Sequence, residues 1–264
     1  MILQIASLVA ATTGIGSSIL SALPTTHPIL AISRTATSAS FPSHVTPLDS
    51  DFSDPDGQVL ELPSDFPPPS LIINCGELEM KMFCLYFYKT KHPLLARSAR
   101  VAALLNAPPH GPEKNMKQIN HAHFTNSMNT NCYSLITLYK SFLPLLHPPT
   151  QARYPVIVNL SARVGSISDD RSGGWWSYRI SKTASNHAQL LAHIETNRQR
   201  HRANFLSIHP GTTYTSLSSP FVKGEGGTVH SPDYTAEKIL GLVGGAGEKH
   251  SGGFYDWYGQ SLPF

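Results

Sequence analysis

Charge is scarce in this chain. Asp, Glu, Lys and Arg make up 14% of the 264 residues, and the formal net charge of +3 forms no basic stripe. That argues against a nucleic-acid partner while leaving small anionic ligands compatible with the surface. Cysteine is scarcer still: Cys75, Cys84 and Cys132 are odd in number and lack metal-ligand spacing. They read as reduced thiols of an intracellular protein, with neither a disulfide framework nor a metal site behind them. No apolar run approaches the ~20 residues of a membrane helix, and the chain opens on a strand-like segment with no charged region before it. The expectation is a cytoplasmic protein without a membrane partner.

What is present is enough apolar side chain, 41% of residues, to fill one core at the upper end of single-domain size. One domain spanning 1–264 is expected. Short apolar runs at 2–10, 28–33, 44–48, 70–75, 155–160 and 204–209 read as strands. Stretches at 17–23, 124–146 and from Tyr178 to Arg202 read as helices between them. Near-continuous apolar strands suit a parallel sheet buried on both faces, so the fold class is α/β: a Rossmann-type, doubly wound parallel sheet with helices on both faces. Two regions fit badly. Residues 51–69 are rich in Asp, Ser and Pro, too broken for a full crossover helix. Residues 76–112 form an atypical insertion whose aromatic, basic run (81–89) has no obvious place.

The motifs converge on proton and hydride chemistry. Tyr178 and Lys182, four apart after an apolar strand, share one helix face a turn apart. An ammonium beside a phenol favours the phenolate, which makes the pair a candidate general acid/base. Gly14-Ile15-Gly16 lies between the first strand and helix, where glycines let backbone approach a pyrophosphate and the helix supplies free N–H groups. At the end of the second strand, where NAD would want a carboxylate for its ribose, the chain has Ser33-Arg34-Thr35. A cation and hydroxyls suit a 2′-phosphate, so NADP(H) is the expected cofactor, with NAD(H) the alternative.

Taken in order, Ala10 to Gly16, Asn74-Cys75-Gly76, Asn131, Asn159 to Ser168, Tyr178-x-x-x-Lys182 and Pro210-Gly211-Thr212 through Thr215 resemble the short-chain dehydrogenase/reductases. The likeness is greatest to the C-factor-like branch, through Gly173-Gly174-Trp175 and Asp256-Trp257-Tyr258-Gly259-Gln260. The resemblance covers the chain except 76–112, and it implies roles. Tyr178 would protonate a substrate carbonyl, Lys182 would lower the phenol pKa and bind the nicotinamide ribose, and Asn131 would hold a water linking Lys182 to solvent. A serine would polarise the carbonyl. Cofactor contacts would come from Ala10, Thr12, Gly14, Ile15, Gly16, Arg34, Asp49, Ser50, Asn74, Gly76, Lys182, Pro210, Gly211, Thr212 and Thr215. The implied reaction interconverts a carbonyl and an alcohol on a small to medium apolar substrate, in a monomer or homodimer.

The chain also departs from that pattern. Ala10 replaces the first glycine of the turn, which demands a negative φ there. Ala162 stands where many relatives carry the serine, leaving Ser161 as first choice by the branch pattern and Ser166 as its competitor. Adjacent strand residues face opposite ways, so Ser161 needs a bulge to serve. Glu77 disrupts the Asn-x-Ala-Gly motif at the start of the insertion. Gly76-Glu77-Leu78 can be encoded with a GTGAGT donor splice site, which suggests that part of residues 76 to about 103 is translated intron; a genuine lid or oligomer contact is the alternative. A catalytically impaired, nucleotide-binding regulatory homologue is the rival function. His209 reads as structural, Trp175 and Trp176 as pocket or helix cover, and Trp257 as packing.

Overall fold

The computed structural model describes Ile15, Ser18, Ser21 and Ala22, the strands between residues 29 and 102, Leu105, and residues 111–143, 154–198, 203–215, 218 and 229–264. Eight strands are described: β1 (Ile29–Ser33), β2 (Val45–Asp49), β3 (Pro69–Gly76), β4 (Met82–Phe87), β5 (Arg97–Ala102), β6 (Val156–Leu160), β7 (Asn204–His209) and β8 (Gly253–Asp256). Among the described residues four α-helices with given bounds lie between β5 and β8: α1 (His121–Met128) and α2 (Ser134–Phe142) before β6, α3 (Trp176–Arg198) before β7, and α4 (Pro232–Gly245) before β8. A π-helical turn, Asn129–Tyr133, joins α1 to α2.

The strands form one sheet in the order β2-β1-β4-β3-β5-β6-β7-β8. Every neighbouring pair is parallel except the two that β4 makes, with β1 and with β3. The expected α/β sheet is therefore present with one antiparallel strand near its middle. That strand comes from the aromatic run for which the sequence suggested no place. Its aromatic composition suits strand geometry, and pairing on both sides satisfies a backbone that would otherwise stand unpaired. The segment 2–10, expected to be the first strand, lies outside the described residues; of the helix expected at 17–23, Ser18, Ser21 and Ala22 are helical, as is Ile15.

Packing partners, rather than burial, follow the period of two. Every residue of β6 is buried, as a strand covered on both faces requires. In β7, the Phe205 ring meets Tyr139 of α2 edge-on at 5.9 Å and His193 of α3 at 6.2 Å. Leu206 and Ile208 instead line a cavity with Gly241, Leu242 and Gly245 of α4. Alternate side chains of one strand thus place α2 and α3 on one face and α4 on the other. The helix starts are chemically marked. Asn120 accepts from His123 N at 3.3 Å before α1, and Ser231 accepts from Tyr234 N at 3.2 Å before α4, with Pro232 in its first turn. That asparagine cap begins the helical run at 121, three residues ahead of the sequence expectation.

Candidate active site

All seven parallel strands run the same way, so Ser33, Asp49, Gly76, Ala102, Leu160, His209 and Asp256 end on one edge of the sheet. In open α/β sheets this edge is where ligands sit. Asp49 and the pair Asn74 and Gly76, expected to contact a cofactor, lie at or near the ends of β2 and β3. Ile15 is helical and buried. Ala10, Thr12, Gly14, Gly16, Arg34 and Ser50 lie outside the described residues.

Tyr178 and Lys182 face the interior from the start of α3. Tyr178 is 8% exposed and Lys182 1%. The ammonium lies 5.8 Å from the centre of the Tyr178 ring and donates to the Leu160 carbonyl oxygen at 3.0 Å. A buried lysine demands such compensation, because desolvating an ammonium is costly. Burial pushes the Tyr178 phenol well above its ordinary range. This departs from the expectation that Lys182 lowers it: desolvation outweighs an ammonium whose hydrogen bond goes to the end of β6. The turn after β6 is pressed against the same helix. A Cβ on Gly165 would stand 2.9 Å from Lys182 Cβ, and Thr183 Oγ1 donates to the Gly165 carbonyl at 3.0 Å.

The candidate serines have different surroundings. Ala162, in extended conformation, packs with Val164 and Trp175 against the Leu105–Tyr178 pair. Ser161 precedes it directly after β6, donates its N–H to the Ile208 carbonyl at 2.8 Å, and encloses an Oγ with no hydrogen-bond partner among the described residues. With no bulge to turn it, its side chain takes the opposite face from Ala162. Ser166 is buried, and its Oγ accepts from Asp169 N at 3.1 Å, capping the loop. Asn131 sits in the π-helical turn, almost fully buried, and donates through Nδ2 to Ser181 Oγ at 2.8 Å. Ser181 in turn donates to the Tyr178 carbonyl at 2.8 Å. Asn131 is thereby fixed to α3 one residue before Lys182. Such π turns often mark functional positions.

Beyond β7 the chain turns at Gly211, φ +74°. A side chain there would meet Trp257 Cδ1 at 2.7 Å, so glycine is required both by the left-handed backbone and by the indole lying against it. Trp257 also packs on His230 and Tyr234, with ring centres 4.2 and 5.8 Å away. Thr212 accepts from His230 N at 2.9 Å, and Thr215 N donates to Ser218 Oγ at 3.0 Å. Pro210 precedes this turn directly after β7. His209 ends β7 with an enclosed Nδ1 that lacks a partner. Burial, with the Arg163 guanidinium adding to it and Asp256 opposing, pulls the His209 imidazole down to about 4.

Sequence reasoning assigned no role to Glu113, which contacts the first turn of α3 from 64 residues away. The available signal was negative: the helix starts after Trp175, a residue with no acceptor to cap it.

No protein-family model matches the chain. The C-signal of Myxococcus xanthus is 25% identical over 146 residues, which cover 55% of this chain and 81% of that protein. An uncharacterised oxidoreductase of Schizosaccharomyces pombe is 26% identical over 159 residues, 56% of this chain and 59% of the relative. Among solved structures, a short-chain dehydrogenase/reductase of Burkholderia multivorans with bound NADP shares the fold at a TM-score of 0.67 and 18% identity, over 97% of each chain. The chain thus has the fold of the solved short-chain dehydrogenase/reductases and, over about half its length, a sequence similar to the C-signal and to that oxidoreductase.

Proposed function

We propose that the protein is an NADP(H)-dependent oxidoreductase that interconverts a carbonyl and an alcohol on a small to medium apolar substrate. The observation that carries the reading is the buried Tyr178 and Lys182 pair, set side by side at the carboxyl edge of a parallel sheet. A buried phenol and a buried ammonium are expensive in a structural role and useful in a catalytic one. The donor set fits the nicotinamide end of the cofactor: Lys182 for the ribose hydroxyls, Asn131 for an ordered water beside it, and the turn from Pro210 to Thr215 for the carboxamide and phosphates. Asp49, Ser50, Asn74 and Gly76 would hold the adenosine end, and Arg34 a 2′-phosphate.

When bound, NADPH supplies the hydride to the carbonyl carbon. Tyr178 Oη gives its proton to the carbonyl oxygen, and a proton returns to the phenolate by way of Lys182 and the water at Asn131. The raised phenol pKa keeps Tyr178 protonated through the neutral range, the form that reduction needs. Oxidation of an alcohol needs the phenolate and therefore gains with rising pH. With Ala162 against Tyr178, the serine hydroxyl of the family pattern is missing from that contact; Ser161 and Ser166 remain the candidates if the loop rearranges around substrate. The test is NADPH oxidation dependent on an apolar aldehyde or ketone, set beside Tyr178→Phe. Wild-type turnover retained by that variant refutes the mechanism.

A second reading rests on β4. Met82–Phe87 is antiparallel in an otherwise parallel sheet and lies between β1 and β3. In doubly wound folds the strand that leads into the pyrophosphate turn lies near the middle of the sheet. This favours a form of the chain in which part of residues 76 to about 103, as translated intron, impairs nucleotide binding. Sequencing of cDNA across these codons decides it: transcripts that always carry them sink the intron reading. Thermal stabilisation by NADPH without carbonyl turnover would identify a regulatory homologue instead.

A further inference from the structure

Helix α3 starts after a residue that cannot cap it. Trp175 has φ +51°, outside the helix, and an indole that donates but never accepts. The first-turn N–H groups of α3 are therefore left without the side-chain oxygen that a Ser, Thr, Asp or Asn would bring. The oxygen arrives from elsewhere in the chain. Glu113, 4% exposed, accepts from Ser177 N at 3.4 Å and from Ser177 Oγ, and its main-chain oxygen accepts from Trp175 N at 2.5 Å. Gly174 permits this approach, since even a methyl there would crowd the Glu113 carbonyl at 3.3 Å. Among the described residues no cation pairs with Glu113. Its carboxylate faces the positive end of the helix dipole instead, which is a favourable place for an anion.

Ser177 is followed directly by Tyr178, so the turn that Glu113 ties down is the one that carries the phenol. We propose that Glu113 is the positioning residue of Tyr178, supplying from the 111–114 segment the cap that Trp175 lacks and so fixing where the phenol hydroxyl stands. Glu113 takes no part in proton transfer. It acts through Ser177 and the first turn of α3, and loosening that turn misplaces the hydroxyl; an ångström of misplacement can cost about 10²-fold in rate. The kinetic consequence rests on the carbonyl-alcohol reading above, whereas the capping itself does not.

The experiment compares Glu113→Ala and Glu113→Gln with the wild-type protein in two readouts. One is kcat and KM with NADPH and an aromatic aldehyde; the other is amide hydrogen exchange over residues 175–182. Glu113→Ala is expected to lower kcat by about 10- to 100-fold, with the KM for NADPH within about twofold, and to speed exchange in that turn. Glu113→Gln keeps an acceptor for Ser177 and should recover most of kcat and most of the protection. Wild-type exchange in Glu113→Ala overturns the proposal, whatever happens to kcat, and so does equal impairment of the two variants. Should Glu113→Ala not fold, near-wild-type values in Glu113→Gln support the proposal and a large loss there overturns it. Should the wild-type protein reduce no carbonyl, the functional reading fails while the exchange measurements still decide the capping.

Discussion

The two ends of the sheet are built differently. From β5 through β8 the strands run parallel, each register unbroken, and β6 is buried along its whole length. This half holds Tyr178, Lys182 and Asn131 in place through α3 and the π-helical turn. On the other side, between β1 and β3, the antiparallel β4 interrupts the parallel order, and the β3–β4 register shifts between Pro69 and Leu71. The half expected to carry the adenosine end of a dinucleotide is thus the one that departs from doubly wound topology. The proposed catalytic pair and the proposed adenosine contacts thus lie in different halves of the sheet.

The largest effect should fall in the catalytic half alone. Tyr178→Phe is expected to lower kcat for aldehyde reduction by about 10²- to 10⁴-fold while leaving stabilisation by NADPH unchanged. A parallel loss of NADPH stabilisation would show that the two halves are not separable. Stability against pH sharpens the same contrast through His209. Its imidazole is neutral in the folded chain down to about 4, whereas in the unfolded chain it takes a proton near 6.5. Below 6.5 the unfolded state therefore binds the extra proton, so stability is full above that pH and is lost as pH falls towards 4. The loss amounts to about 3 kcal/mol at most. Urea unfolding at a series of pH values measures it, and His209→Asn should flatten the slope in that window.

The nucleotide half is probed by deletion. Removing residues 77–96, which carry β4 and leave β5 in place, should let NADPH stabilise the chain more than it stabilises the full-length protein, by up to about 2.7 kcal/mol at ligand a hundredfold above Kd. Equal stabilisation of the two chains, read by thermal shift, would mean that β4 does not stand in the way. The smallest change expected is at the turn after β7. Gly211→Ala forces a Cβ into Trp257 at a positive φ and should cost about 2 kcal/mol in denaturant unfolding.

Legibility in the sequence follows the same divide. The strand at 204–209 has the bounds its apolar run suggests, and the strand expected at 155–160 begins one residue later. Continuous Val, Ile, Leu and Phe between turn residues leave a buried strand few alternatives. Met82–Phe87 carries equally strong strand propensity, but its partners and direction are matters of tertiary pairing that no local pattern encodes. At the site, the spacing of Tyr178 and Lys182 was enough to place both on one helix face, and strand alternation was enough to set Ser161 opposite Ala162. The contact of Asn131 with Ser181 depends on a π turn that periodicity does not announce. Glu113 was invisible for a related reason, since its partner lies 64 residues on.

Gly165 and the Glu113–Ser177 contact bracket the segment between β6 and α3. At one end a glycine lets the backbone rest on Lys182; at the other a carboxylate holds the turn ahead of Tyr178. Between those anchors run residues 166–173, with Gly174 kept for the approach of Glu113. Substrate preference could be re-engineered there by wholesale loop grafting, with the proton donor and its ammonium neighbour left standing as a fixed frame.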